Sequence, residues 1–269
     1  MGDKLIYVLL TFDVEEYVDL MGAGSGYIDL NKKVGNVADA LEARGIPATF
    51  FLDAYTTTVF PRGIELLREK GHELALHSDY HYGEWDPSIP DFRQGSETQV
   101  SRMKRAISMI RKVIPDFDPK GFRAPGLRWN ESLYVSLRRL GFLYDSSREM
   151  ETFQPFLVNE VVVFPFNSKE WDTGIYYHVG RFHRPIDRSI RYILNDWVGR
   201  FEEAYKVAVE TGESYFVLLM HPTCVGKPMY KPLLEAILDY LKQASYVRFQ
   251  TCSEAAKEYR QMSKTSRRV

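Results

Sequence analysis

The sequence predicts an α/β fold built on a parallel sheet with helical crossovers. Continuous apolar runs of strand length alternate along the chain with segments whose apolar residues recur at helical spacing. About eight such runs can be counted, near the number that a closed β/α barrel needs. No linker, repeat or shift of composition divides the 269 residues, so residues 1–269 are expected to form one domain.

The elements follow in order. Leu5–Phe12 (LIYVLLTF) reads as a strand buried on both faces and ends abruptly in Asp13-Val14-Glu15-Glu16. Gly22–Gly26 is a flexible loop without the Gly-Lys-Ser/Thr ending of a phosphate loop. Asn31–Arg44 has helical spacing at Val34, Val37, Ala38 and Leu41, with Gly45 as its stop. Ala48–Leu52 is the next strand, Ile64–Lys70 a short helix stopped by Gly71, and Glu73–Leu76 a strand delivering His77. Tyr82–Ser96, with Trp85 and Phe92, reads as a long loop, a place where function often sits. Glu97–Val113 is a helix, Gly121–Arg123 a strand before Ala124-Pro125-Gly126, Ser132–Leu140 a helix, and Phe142–Tyr144 a strand ending at Asp145. Val161–Phe164 is a strand, Asp187–Thr211 a long helix, and Tyr215–Met220 a very apolar strand delivering His221-Pro222. Pro232–Gln243, Val247–Phe249 and Ser253–Gln261 complete the chain as helix, strand and helix.

Composition excludes several classes. With 45% hydrophobic and 26% charged residues the chain can fill a core, and broad disorder is not expected. The formal net charge is −1 and no basic stripe precedes Lys264–Arg268, so neither nucleic acid nor an anionic membrane is an expected partner. Two cysteines, Cys224 and Cys252, make neither a disulfide framework nor a Cys-based zinc site, and are expected as free thiols in a reducing compartment. Leu5–Thr11 is too short for a secretion signal, and no run approaches the ~18–20 apolar residues of a membrane span. The expected location is cytoplasmic, and a homo-oligomer is left open. Aromatics at 14% fit either a well-filled core or a sugar-stacking cleft.

The chemistry gathers at strand ends. Asp13, Glu15, His77, Arg123, Asp145 and His221 each directly follow a predicted strand. Any one of them is what a strand end needs anyway. After five separate strands they form the pattern of a barrel mouth, where such folds keep their active sites. His77 and His81 stand four apart, and on a helical turn they would share a face and reach one metal ion. Position 78 is Ser, so this is not the zinc-protease H-E-x-x-H helix. A third ligand, a base and an acid must come from elsewhere in the chain.

These residues resemble the polysaccharide deacetylases, the NodB-homology or carbohydrate esterase family 4 hydrolases. Thr11-Phe12-Asp13 resembles the family's first motif, and His77-Ser78-Asp79-Tyr80-His81 its His-Ser/Thr-x-x-His metal pair. Phe122-Arg123-Ala124-Pro125-Gly126 resembles the third motif and Leu218-Leu219-Met220-His221-Pro222 the fifth. The tail from Gly226 to Ala256 is similar to the branch with peptidoglycan deacetylase-like and allantoinase-like members. The resemblance implies a distorted (β/α)7 barrel and a metal-dependent hydrolase that removes N-acetyl groups from an amino sugar or glycan. It implies one divalent metal, zinc above all, on Glu15, His77 and His81.

The first motif departs from the common Asp-Asp pair, because Val14 stands in the second position. Residues two apart on an extended strand point the same way, so Asp13 and Glu15 can both face the mouth while Val14 packs. The branch's Asp-Val-Asp/Glu variant implies Asp13 as base and Glu15 as ligand, although the roles could be exchanged. Arg123 would pair with Asp13 and hold it ionised. His221 would protonate the leaving amine, supported by Asp172 at the fourth-motif position or by Asp145. Trp85, Pro125, Trp129, Trp171 and Leu219 are the expected substrate-binding residues, the tryptophans as stacking faces or simply as packing. His72 is expected to face solvent, and His178 and His183 to lie in a surface loop. Two other functions compete: an amidohydrolase on a non-sugar amide or cyclic imide, and a non-catalytic carbohydrate-binding barrel.

Overall fold

Strand β1 (Leu5–Val14) is buried along almost its whole length, and its alternation divides the interior in two. Ile6, Val8, Leu10, Phe12 and Val14 join the larger apolar cluster under the helices. Tyr7 and Leu9 join a second cluster, enclosed by the sheet, with Phe51, Ala75, Tyr144, Phe164, Tyr215, Val217 and Leu219. Asp13 continues the second set toward the C-terminal end of the strand. A computed structural model of the protein shows this arrangement and describes residues 4–15, 29–81, 92–172 and 185–266. The Gly22–Gly26 loop, most of Tyr82–Ser96 with Trp85, and His178 and His183 lie outside the described residues.

The strands are β2 (Thr49–Asp53), β3 (Glu73–Ser78), β4 (Gly121–Phe122), β5 (Tyr144–Asp145), β6 (Phe156–Val158), β7 (Val161–Val163), β8 (Glu213–Met220) and β9 (Val247–Phe249). Their order in the sheet is β6-β7-β5-β4-β3-β2-β1-β8. From β7 to β8 every pairing is parallel. Only β6 turns back, antiparallel to β7, and β9 lies beside Ile6–Val8 of β1. The sheet curls, and a bridge from Trp171 to Leu219 reaches β8, where Asp172 donates its N–H to the Leu219 carbonyl at 3.2 Å. The curled sheet with helices packed around it has the seven-strand parallel run, β7-β5-β4-β3-β2-β1-β8, of the distorted barrel that the motifs imply.

The helices are α1 (Leu30–Glu42), α2 (Ala54–Val59), α3 (Pro61–Glu69), α4 (Ser96–Ile110), α5 (Ser132–Leu140), α6 (Ile186–Thr211), α7 (Pro222–Val225), α8 (Lys231–Lys242) and α9 (Cys252–Ser266). Sequence periodicity predicts the long ones to within a few residues. It does not predict α2, α7 or β6, which are too short to show a period. Among the described residues no helix is long and apolar enough to cross a membrane.

Two details decide where the site lies. Helix α9 closes the N-terminal end of the curled sheet: Cys252, Ala255 and Ala256 enter the enclosed cluster, Cys252 N–H donates to Thr49 Oγ1 at 2.9 Å, and Ser253 Oγ donates to Glu73. The C-terminal strand ends are therefore the end left for chemistry. At Gly121 a Cβ would fall 1.7 Å from the Tyr144 ring, so only glycine lets that ring fill the interior. His72 departs from its expected place in solvent. It is buried against Phe50, ring centroids 5.2 Å apart, and neither ring nitrogen has a hydrogen-bond partner among the described residues. Burial lowers its pKa and keeps it neutral.

Candidate active site

Two strand ends bring the metal-type donors together. Glu15 follows β1, His77 lies on β3, and His81 stands three residues beyond β3. The Nε2 atoms of His77 and His81 each lie 3.1 Å from Glu15 Oε2. One ligand atom from each residue falls within 4.8 Å of the others. The histidines do not share a helical turn: His77 is on a strand and His81 follows a bend, with ring centroids 5.9 Å apart. What makes the bend is Asp79, a residue of the motif that carries no predicted role. Its carboxylate is fully buried on the far side. It accepts from Tyr80 N–H and Ser78 Oγ at 2.9 Å each, from Arg102 of α4 at 2.7 and 3.0 Å, and from Arg105. Burial works against its charge, but the two arginines more than offset that and hold its pKa below the usual carboxylate value.

The tautomer of His77 is fixed. Its Nδ1 lies 2.8 Å from the Arg123 carbonyl, which can only accept, so Nδ1 carries a proton; Nε2 faces Glu15, donating to it when protonated and free to serve as a metal ligand once that proton is lost. Burial raises the Glu15 pKa, but the His81 charge and the His77 hydrogen bond outweigh it and hold the carboxyl well below its ordinary value. Two imidazole nitrogens and a carboxylate oxygen are the donor set of a catalytic zinc-type site, so these residues fit a divalent metal.

Asp13 stands two residues before Glu15 in the chain. Its Oδ1 accepts from Arg123 Nη1 at 2.8 Å. Arg123 is fully buried and three more of its donors are used: Nη2 to Thr11 Oγ1 and Ser146 Oγ at 2.9 Å each, and Nε to the Ser146 carbonyl at 2.8 Å. Its guanidinium lies 4.2 Å from the centre of the Phe51 ring. Thr11 went unpredicted, although its signal was the parity it shares with Asp13. His221 also reaches the site, with Nε2 3.5 Å from Glu15 Oε1. Asp172 holds it twice, accepting from the backbone N–H and from Nδ1, both at 2.7 Å. Burial lowers the imidazole pKa, but Asp172, Glu15 and Asp13 overcome this and raise it to about 9. Asp145 is elsewhere, bonded to Tyr134 Oη at 3.0 Å and Ser147 Oγ at 2.5 Å, so the structure brings Asp172 and not Asp145 to His221.

The family model described as polysaccharide deacetylase matches residues 3–144, just over half of the chain. The chain belongs to the polysaccharide deacetylase family. A peptidoglycan deacetylase-like protein of Gibberella zeae is 23% identical over 95% of this chain and 87% of its own length. A Mycobacterium smegmatis structure, provisionally described as a polysaccharide deacetylase, superposes with a TM-score of 0.79 at 22% identity, over 97% of this chain and 92% of that one. The PuuE allantoinase structure superposes at 0.73 and 16% identity, over 96% and 90%. At these identities the two structures bear on the fold alone.

Within this polysaccharide deacetylase fold the substrate-binding candidates fall in different settings. Trp171 is partly exposed and stacks on the His221 ring, centroids 6.3 Å apart. Leu219 is buried at the end of β8, where Trp171 bridges to it. Pro125 is buried two residues after Arg123. Trp129 meets Tyr134 edge-on and carries the Arg148 guanidinium 4.2 Å from its ring centre, so one of its faces is taken. Asp53, at the end of β2, is a buried carboxyl that the sequence reading passed over, although it too directly follows a predicted strand. Burial raises its pKa to about 7 against the pull of Thr56 and His77.

Proposed function

We propose that this protein is a metal-dependent hydrolase that removes N-acetyl groups from an amino sugar or an N-acetylated glycan. The observation that carries the reading is an arginine-held carboxylate, Asp13, two residues before Glu15 in the chain, together with an aspartate-held imidazole, His221, 3.5 Å from Glu15. A divalent metal, zinc for this donor set, would be held by Glu15, His77 and His81 and would supply an acidified water and a Lewis acid for the acyl carbonyl. Asp13, fixed by Arg123, takes the proton from the attacking water. His221 gives the proton on its Nε2 to the nitrogen of the leaving amine, and Asp172 keeps that proton in place at neutral pH. Trp171 offers its exposed part as a wall for the sugar ring. The similarity to a peptidoglycan deacetylase-like protein supports a glycan substrate.

The allantoinase neighbour keeps a second reading alive, an amidohydrolase on a cyclic imide or non-sugar amide. One experiment separates them. Acetate release from chitin oligomers is measured beside hydrolysis of allantoin, for the wild type, His77→Ala and His221→Ala, with the metal content of each by mass spectrometry. The proposal expects about one metal per chain, lost in His77→Ala, and acetate release that falls by roughly 100-fold or more when His221 is removed. Allantoin turnover without acetate release would move the assignment to the second reading. Glycan binding without any turnover would make the protein a binding barrel.

A further inference from the structure

Glu15 leaves β1 and His77 lies on β3, and the strand between them is β2. The register pairs Asp13 with Phe51 and Val14 with Leu52, so one step further sets Glu15 beside Asp53. On the other side Leu52 pairs with Leu76 and Asp53 with Ser78, and the register skips His77. Phe51 faces the enclosed interior and Leu52 the helices, so alternation turns Asp53 inward beneath the contact between Glu15 and His77.

Only half of the Asp53 carboxyl has an evident use. Oδ1 caps α2 by accepting from Thr56 N–H at 2.8 Å. Oδ2 is buried and has no hydrogen-bond partner among the described residues, in a residue that is 2% exposed. A cap requires one oxygen, which Ser, Thr or Asn supplies as well. A buried carboxylate oxygen left alone is costly and marks a missing water or ion. Asp53 also lies outside the group of donor atoms formed by Glu15, His77 and His81, so it is not placed as a ligand.

We propose that Asp53 is a positioning residue of the metal centre, its Oδ2 acting on the bound cation through an intervening water. The inference rests on reading Glu15, His77 and His81 as a metal site. Burial raises this carboxyl to about 7 in the metal-free protein; a bound cation would favour its ionised form, which would add negative charge beside the ligands and hold the water that would otherwise be free to exchange, the usual work of an outer-shell group.

The test uses the full chain, stripped by chelator and titrated with Zn2+ against a chromophoric competitor, with the thermal midpoint of each metal-free protein measured in parallel. Asp53→Asn keeps a cap acceptor and the shape but removes the charge. Asp53→Ser keeps the cap and removes Oδ2. The expected result is binding weakened on the order of tenfold in both variants, at unchanged stoichiometry and with metal-free midpoints like that of the wild type. A change below about threefold in either variant, or a loss that tracks a fall in the metal-free midpoint, overturns the proposal. A wild type that binds no zinc removes the metal-site reading first and this inference with it. The two failures are thus told apart before any variant is compared.

Discussion

His221 is gripped by one carboxylate at two points, its own backbone N–H and its Nδ1, both 2.7 Å from Asp172. The ring is thereby kept in one orientation, with Nε2 turned toward Glu15. In the metal-free protein the ring should titrate near 9 by NMR, because the surrounding carboxylates outweigh its burial. Asp172→Asn should move the titration down toward the ordinary ~6.5. The sign follows from linkage: a raised folded value stabilises the fold fully below ~6.5, and that contribution is lost as the pH rises through about 9. An unchanged titration in the variant would mean that Asp172 is not what holds the proton. At this scale much was legible. The spacing of Asp13, Val14 and Glu15 announces two inward carboxylates around a packed valine, because strand side chains alternate. Asp79 was hidden for a physical reason: its partners Arg102 and Arg105 are more than twenty residues away, on a helix brought alongside only by folding.

Elements behave according to their length. β1 and β8 are long apolar runs whose burial on both faces is written in their composition, and α6 spans 26 residues whose period is easily read. β4 and β5 have two residues each, and their pairing depends on Gly121 allowing the Tyr144 ring across its Cα. Gly121→Ala should therefore cost about 3 kcal/mol, the upper range for overpacking a rigid core, read as a drop in the denaturant midpoint at unchanged slope. A variant of wild-type stability would show that the ring has room to move. The segment that carries Asp172 is fixed in another way. Asn167 and Glu170 close a capping box on one another, and Arg200 of α6 donates to Glu170 Oε1 at 3.0 Å. A single turn is thereby tied through its buried Glu170 to α6, and it delivers Trp171 and Asp172 to β8.

For the whole molecule, the charged groups set a pH at which the metal-free fold is firmest. Glu15 and Asp79 are held below their ordinary values, so their contribution is present above ~4.5 and lost as the pH falls through the folded values. Asp145, Asp53 and His221 are raised to about 6, about 7 and about 9, so theirs is lost as the pH rises through those values. The thermal midpoint measured in chelator should peak near pH ~5 and decline toward ~9. A midpoint that climbs between ~6 and ~9 would contradict these directions. The sequence by itself determined the α/β class and the long strands and helices, because alternation and periodicity are local properties of a chain, and its motifs carried the resemblance to the family. Only the tertiary structure decided that Asp172 rather than Asp145 meets His221, that the two metal-type histidines flank a bend and not a helical turn, that His72 is buried, and that Asp53 stands between Glu15 and His77. Each of those depends on which distant segments pack together. That choice is made by side-chain fit across the sheet and carries no signature in neighbouring residues.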